Sequence, residues 1–251
     1  MSSALSAAPD EGPPLRERVI LVTGATGGIG AAVARACARA GATVVLHGRD
    51  PNRLDALYDG IHSETGIEPA ALPLDLGTAT SAQFAALAAD IGQALGRLDG
   101  IVHCAFRTPS LTPVDGVSAE EWNLALRINV VAPLSITRAC LPLLRQAPDA
   151  PVIYTLESHF TSEDAYLGAL AVPGAALAAA VRIQAEEWSG APGLRCHAII
   201  PGPVDSPSRS RTHPGESPAS RPPVDRLIPA YLDLLGPAGK PLHGKVLRPL
   251  G

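Results

Sequence analysis

The residues with the clearest capacity for chemistry are the glycines of a turn at residues 23–30, Thr-Gly-Ala-Thr-Gly-Gly-Ile-Gly. An apolar run at residues 19–22 precedes the turn, and an alanine-rich segment with helical periodicity follows it to Ala40. Glycines allow a tight turn and close backbone approach, while the free N–H groups and dipole of a helix N-terminus stabilise negative charge. Because the glycines lie between a strand and a helix, they predict a pyrophosphate-binding turn, with an ordinary strand–helix turn as the alternative.

The end of the second strand predicts which dinucleotide is bound. Residues 43–46 form this strand, and His47-Gly48-Arg49-Asp50 follow it. A carboxylate at this tip would bind the ribose 2′-hydroxyl of NAD, whereas an arginine fits a 2′-phosphate with two hydrogen bonds. Arg49 therefore favours NADP(H) over NAD(H), with a solvated surface arginine as the alternative. Asp50 is interpreted as the N-cap of the next helix, since a proline follows it.

Strands and helices alternate along the rest of the chain. Further strands are predicted at residues 70–74, 101–105, 151–156, 194–200 and 245–247. Thr80 with Gln83 and Ser118 with Glu121 are capping boxes that predict helix starts. The alternation indicates an α/β fold, a Rossmann-like doubly wound parallel sheet of about seven strands with helices on both faces.

Prolines modify two of the predicted helices. The helix after Ser118 carries Asn129, and Pro133 and Pro142 should kink it or interrupt its hydrogen bonds. A later alanine-rich helix is predicted to begin near Pro173, because proline suits the first turn of a helix and not its interior.

The form Thr-Gly-x-x-x-Gly-x-Gly resembles the short-chain dehydrogenase/reductase family, and the resemblance extends over most of residues 16–250. It implies a single-domain protein that binds NAD(H) or NADP(H), most relatives being oxidoreductases that use Asn, Ser, Tyr and Lys. It also implies that Asp75 and Leu76 contact adenine and that the Ser206 hydroxyl contacts the nicotinamide amide. The cofactor-binding residues expected from these matches are Gly24, Thr26, Gly28, Ile29, Gly30, Arg49, Asp75, Leu76, Ala105, Pro201, Gly202, Val204 and Ser206.

The exit of the fourth strand departs from the family pattern. This chain has His103-Cys104-Ala105-Phe106 where relatives usually have Asn-Asn-Ala-Gly. Ala105 is retained, but Phe106 replaces a glycine where the backbone should pass close to the ribose. We therefore expect Phe106 to crowd the site.

The catalytic positions depart further. Asn129 matches the family's asparagine, but the tyrosine position falls on Ala169 or Leu170 and the lysine position on residues 172–174. No lysine occurs in residues 1–239, so no shift of register restores the pair. Since a positioned acid supplies roughly 10²–10⁴-fold in rate, the family's usual mechanism is not expected.

Two residues are candidates for a substitute acid. Glu157 could hold a pKa raised by an apolar pocket, and Tyr166 could reach the pocket from a loop. The alternative is that both merely cover a loop. Three functions stay open: an NADP(H)-dependent oxidoreductase acting on a carbonyl or hydroxyl small molecule, a non-catalytic NADP(H)-binding sensor or scaffold, and a non-redox enzyme using Glu157 and His159.

Composition and length indicate how the chain is organised. The chain has 251 residues, 46% of them hydrophobic, so one core and one domain over residues 16–251 are expected. Residues 1–15 are small, polar and proline-bearing and are predicted to form a disordered tail. Residues 203–223 are dense in proline, serine and arginine and are predicted to form a mobile lid.

Charge and cysteine usage argue against several classes of partner. A net charge of −4 without a basic run disfavours nucleic acid. The sequence has no apolar stretch of about 18 residues and no cationic leader before an apolar run, so no membrane span or signal peptide is expected. The four cysteines lack metal-ligand spacing, which predicts no metal site and fits a cytoplasmic protein. The family resemblance implies a homodimer or homotetramer, formed through the helix carrying Asn129 and the helix from Ala175 to Trp188.

Overall fold

Seven parallel strands form one sheet. The computed structural model describes residues 14–156 and 164–250. The strands are β1 Val19–Thr23, β2 Thr43–Gly48, β3 Ala70–Pro73, β4 Gly100–His103, β5 Ala150–Thr155, β6 Leu194–Ile199 and β7 Val246–Leu247. Their order in the sheet is β3-β2-β1-β4-β5-β6-β7, so the direction of winding reverses between β1 and β4. Such a reversal leaves a crevice at the carboxyl ends of these two strands, where ligands bind in folds of this kind.

Helices cover both faces of the sheet. They are α1 Gly28–Arg39, α2 Pro51–Thr65, α3 Ser81–Leu95, α4 Ala119–Leu126, α5 Ala132–Leu144, α6 Gly168–Trp188, α7 Pro207–Thr212 and α8 Ile228–Leu235. Alternate residues of β1 enter different cores: Leu21 packs on the side of α3, α5 and α6, and Ile20 and Val22 on the side of α1, α2 and α8. Burial on both faces explains why β1 is apolar at almost every position.

The predicted helix starts are confirmed at three caps. The Asp50 side chain accepts from the Arg53 N–H, and Ser118 accepts from the Glu121 N–H. Thr80 and Gln83 bond to each other's backbone N–H groups and complete a capping box. Local side-chain chemistry was sufficient to position these helices.

The helix carrying Asn129 is interrupted, as the prolines predicted. A π-helical segment, Arg127–Val131, separates α4 from α5. Pro133 lies in the first turn of α5 and has no N–H for the carbonyl of Asn129, and the Ala132 N–H bonds five residues back to Arg127. Pro142 remains inside α5.

Two predicted boundaries are wrong. Helix α6 begins at Gly168 and not at Pro173, because the Leu167 carbonyl already accepts N–H bonds from the next turn before the proline is reached. The predicted tail was too long at its end: Leu15 is 0% exposed, and its N–H bonds to the Ala40 carbonyl. Residues 1–13 lie outside the described part of the chain.

Two helical stretches, Ala119–Leu144 and Gly168–Trp188, are long and apolar enough to cross a membrane by length and composition alone. Both pack apolar side chains, such as Ile136 and Val181, into the core beside the sheet. Core helices pass the same test, so the observation is weak evidence for a membrane.

Candidate functional site

One cleft of about 490 Å³ opens at the carboxyl ends of the strands. Its walls come from the glycine turn, from the ends of β2 to β6, and from α7. All the predicted cofactor residues line it: Gly24, Thr26, Gly28, Ile29, Gly30, Arg49, Asp75, Leu76, Ala105, Pro201, Gly202, Val204 and Ser206. Phe106 lines it as well and does not fill it. Residues as far apart in the chain as Gly24 and Ser206 therefore meet in a single space.

Backbone packing holds the glycine turn against the exit of β4. Gly24 has a φ of +65°, and a Cβ at this position would lie 2.5 Å from the Ala105 Cα. A Cβ on Gly30 would collide with the Gly24 carbonyl. The close approach of these backbones therefore requires glycine at both positions.

The tip of β2 presents an arginine to the cleft. Arg49 is exposed, and it makes no side-chain hydrogen bond or ion pair with any residue that the structure describes. Behind it, a Cβ on Gly48 would lie 3.4 Å from the Thr26 Oγ1. The Arg53 Nη2 donates to the Thr26 carbonyl at 2.6 Å, so this arginine also faces the cleft. Sequence reasoning missed Arg53, although its place in the first turn of α2 was a usable signal.

A row of buried polar residues lies beneath the turn. Thr23 is in register with His47 on one side and His103 on the other, and His103 with Tyr154. The His103 Nε2 lies 2.9 Å from the Thr137 Oγ1, which lies 3.1 Å from the Tyr154 hydroxyl. Burial lowers the pKa of His103 to about 3, so its ring is neutral.

His47 differs from His103 in having no partner. Both of its ring nitrogens are buried without a hydrogen bond to the described residues. Burial lowers its pKa to about 4. The ring is therefore neutral at physiological pH and adds no charge to the cleft.

The opposite end of the cleft offers hydroxyl and thiol groups. The Thr155 Oγ1, at the end of β5, lies 2.8 Å from the Tyr231 hydroxyl and 3.4 Å from the Cys104 Sγ. Burial raises the pKa of Cys104 to about 12 and the pKa of Tyr231 well above its ordinary value. Thr155 and Cys104 line the cleft and can orient a ligand by hydrogen bonds, but neither the Cys104 thiol nor the buried Tyr231 hydroxyl is poised near neutral pH as an acid or base.

Asn129 serves the loop after β4. It is 2% exposed, its Oδ1 accepts from the Arg107 N–H at 2.8 Å, and its Nδ2 donates to the Arg107 carbonyl at 3.0 Å. The Arg107 guanidinium in turn forms two hydrogen bonds with Glu121. Asn129 is not among the residues that line the cleft, so it positions the wall and does not face a ligand.

Of the predicted substitute acids, the structure describes Tyr166, and this residue is not brought to the cleft. Tyr166 is 56% exposed and does not line it. Its φ of +71° places it in a left-handed turn directly before α6. Because α6 starts earlier than predicted, Tyr166 lies next to the helix and not in a loop that reaches the cleft. The prediction for Tyr166 is wrong. Glu157 and His159 lie outside the described residues.

The family's tyrosine and lysine positions carry apolar residues in a buried helix. Ala169 and Leu170 lie in the first turn of α6, followed by Pro173 and Gly174, and all four are buried. None has a proton to donate. Helix α6 therefore contains neither a tyrosine nor a lysine.

Residues 203–223 are more ordered than the predicted mobile loop. They contain α7, whose N-cap is the Ser206 side chain, and a 3₁₀ turn, Pro218–Ser220. The buried Arg221 donates to the Ser210 Oγ at 2.6 Å and to the Glu216 Oε2 at 3.0 Å. Composition alone does not show such contacts between side chains, which is why it indicated a loop.

The lid, defined here as residues 203–223, covers one side of the cleft. Pro207, Ser208 and Arg211 of α7 line the cleft, and the Ser208 hydroxyl lies 2.6 Å from the Thr108 Oγ1 on the opposite wall. Sequence reasoning missed these residues because no motif marks them.

Comparison with known proteins agrees with this geometry. Residues 24–227 match the family described as enoyl-(acyl carrier protein) reductase. The uncharacterized oxidoreductase YciK of Escherichia coli is 35% identical over 223 residues, which are 88% of this chain and 87% of YciK. The structure of a short-chain dehydrogenase from Pseudomonas syringae is 37% identical, with a TM-score of 0.91 over 97% of this chain and 98% of its own. A short-chain dehydrogenase from Shigella flexneri, complexed with NADP, is 33% identical, with a TM-score of 0.92 over 95% of this chain and 99% of its own.

Proposed function

The chain belongs to the short-chain dehydrogenase/reductase family, and we propose that it binds NADP(H) in the cleft and acts as an oxidoreductase on a small carbonyl or hydroxyl compound. One observation carries the proposal: thirteen residues expected to hold a dinucleotide, spread from Gly24 to Ser206, line a single cleft. The NADP held by the Shigella flexneri relative supports the choice of cofactor.

The residues of the cleft fit NADP(H). The N-terminus of α1 and the glycine turn offer free N–H groups to the diphosphate. Arg49 offers an unpaired guanidinium to the 2′-phosphate, and Asp75 with Leu76 border the adenine side. When bound, NADPH would supply a hydride. Thr155 and Ser206 would orient the substrate and the nicotinamide amide by hydrogen bonds.

A non-catalytic NADP(H)-binding sensor or scaffold is the second candidate. The buried apolar residues Ala169, Leu170, Pro173 and Gly174 favour it, because they leave the start of α6 without an ionisable side chain. The exposed apolar side chains Val131, Val172 and Ile183 support a homodimer or homotetramer through these helices, which either function could use. We place the protein in the cytoplasm, where its free cysteines stay reduced.

Hydride transfer distinguishes the two candidates. Purified protein is mixed with NADPH and a panel of aldehydes and ketones, and nicotinamide absorbance is followed against a protein-free control. An oxidoreductase oxidises NADPH in the presence of at least one carbonyl compound, at a rate that falls on Thr155→Val. A sensor or scaffold binds NADPH and leaves its absorbance unchanged with every compound. If neither NADPH nor NADH binds, both candidates are rejected.

A further inference from the structure

Two arginines of the cleft, on different elements of the fold, have no partner among the described residues. Arg49 is at the end of β2 and Arg211 is in the last turn of α7. Neither side chain bonds to any residue in the described ranges, and both are exposed. The other three arginines of the cleft are engaged: Arg53 with the Thr26 carbonyl, Arg107 with Glu121, and Arg209 with Glu216. Arg49 and Arg211 are thus the guanidinium groups left for a ligand.

Helix α7 places the face carrying Arg211 above the glycine turn. A Cβ built on Gly28 would lie 3.1 Å from the Pro207 Cδ and 3.6 Å from the Ser206 Cβ. Arg211 follows Pro207 by four residues, so the two share one face of the helix. That face looks toward the turn and the N-terminus of α1, the part of the fold that stabilises phosphate charge.

The rest of the lid is internally neutralised. Glu216 accepts hydrogen bonds from both Arg209 and Arg221, and these bonds lower the pKa of its carboxyl to about 2. Arg221 also lies 3.6 Å from an oxygen of Asp205. With these groups matched, Arg211 is the lid's uncompensated charge on the cleft side.

We propose that Arg211 binds the diphosphate of the dinucleotide from the lid, opposite the N–H groups of the glycine turn. The inference rests on the proposed function and assigns separate tasks to the two free arginines. Arg49 selects the 2′-phosphate that distinguishes NADPH from NADH, whereas Arg211 contacts the diphosphate that both carry. The same contact fastens the lid over bound dinucleotide.

Titration calorimetry with NADPH and with NADH tests this division. Arg211→Gln should weaken the binding of both dinucleotides by about tenfold, the size of a lost charged hydrogen bond. Arg49→Gln should weaken NADPH and leave NADH unchanged. Arg226→Gln is the matched control, because it removes the same charge at an exposed position that does not line the cleft. Arg211→Lys should keep part of the affinity, since the charge remains and the planar fork is lost.

Each other outcome overturns the inference. If Arg211→Gln binds both dinucleotides as Arg226→Gln does, Arg211 makes no contact with the ligand. If only NADPH is weakened, Arg211 reads the 2′-phosphate and the assignment to the diphosphate is wrong. If the unchanged protein binds neither dinucleotide, the proposed function fails together with the inference. Thermal melting without ligand verifies folding, and the exposed Arg211→Gln variant should melt with the parent.

Discussion

Acidification should destabilise this protein already above the pH at which its carboxylates titrate. Three buried histidines cause this: burial lowers the pKa of His47 and His197 to about 4 and of His103 to about 3. In the unfolded chain each returns to an ordinary value of about 6.5. Between these limits the unfolded state binds more protons than the folded state, so stability falls as pH falls through this window.

The magnitude follows from the size of the window. Each of these histidines makes the free energy of unfolding about 2 kcal/mol lower at pH 5 than at pH 7.5, and the three together make it about 6 kcal/mol lower. A single domain has roughly 5–15 kcal/mol of total stability, so this loss is a large part of it. Glu216 does not add to the pH dependence in this range, because its ordinary pKa of about 4.5 lies below pH 5. The interval between pH 7.5 and 5 therefore isolates the histidines.

Urea unfolding at pH 7.5, 6 and 5, followed by tryptophan fluorescence, measures the effect. His47→Leu should stabilise the protein by about 1–3 kcal/mol at pH 7.5, because it removes two unpaired buried nitrogens. It should also remove about a third of the pH dependence. His62→Gln, at an exposed position, is the control and should change neither quantity. A free energy of unfolding that stays constant from pH 7.5 to 5 would refute the reasoning.

Three further predictions concern single contacts. Arg195→Met should destabilise the fold by about 3–5 kcal/mol in urea unfolding, because it removes the hydrogen bonds that Arg195 donates to Asp149 and to three backbone carbonyls; an unchanged midpoint would contradict this. Asn129→Ala should speed hydrogen exchange at the Arg107 amide while exchange in β2 stays unchanged. Thr155→Val should lower the free energy of unfolding by about 1–3 kcal/mol, because it removes the hydrogen-bond partner of the buried Tyr231 hydroxyl. An unchanged free energy of unfolding would show that this hydroxyl has another partner.

Local rules were enough to predict much of the fold. The glycine turn lies between β1 and α1 as predicted, and Asp50, Thr80 and Ser118 cap their helices. These features depend on residues within a few positions of one another. The alternation of strands and helices also predicted a parallel sheet of about seven strands with helices on both faces, which the structure has.

The errors involve contacts that composition and helix-start rules do not show. Leu15 joins the core through Ala40, and Arg221 orders the lid through Glu216 and Ser210, none of which composition can indicate. The start of α6 was misplaced because the rule for proline ignored the apolar burial of the turn before it. Arg211 was missed for a related reason: an arginine in a proline-rich segment has no motif, and its role depends on where α7 lies.

Binding of NADPH to the unchanged protein, measured by titration calorimetry against NADH, tests the central claim most directly. We predict saturable binding of NADPH at one site per chain, tighter than NADH by about tenfold because of the contact with the 2′-phosphate. Absence of binding by both dinucleotides would contradict the account of the cleft. Tighter binding of NADH than of NADPH would contradict the assignment of Arg49.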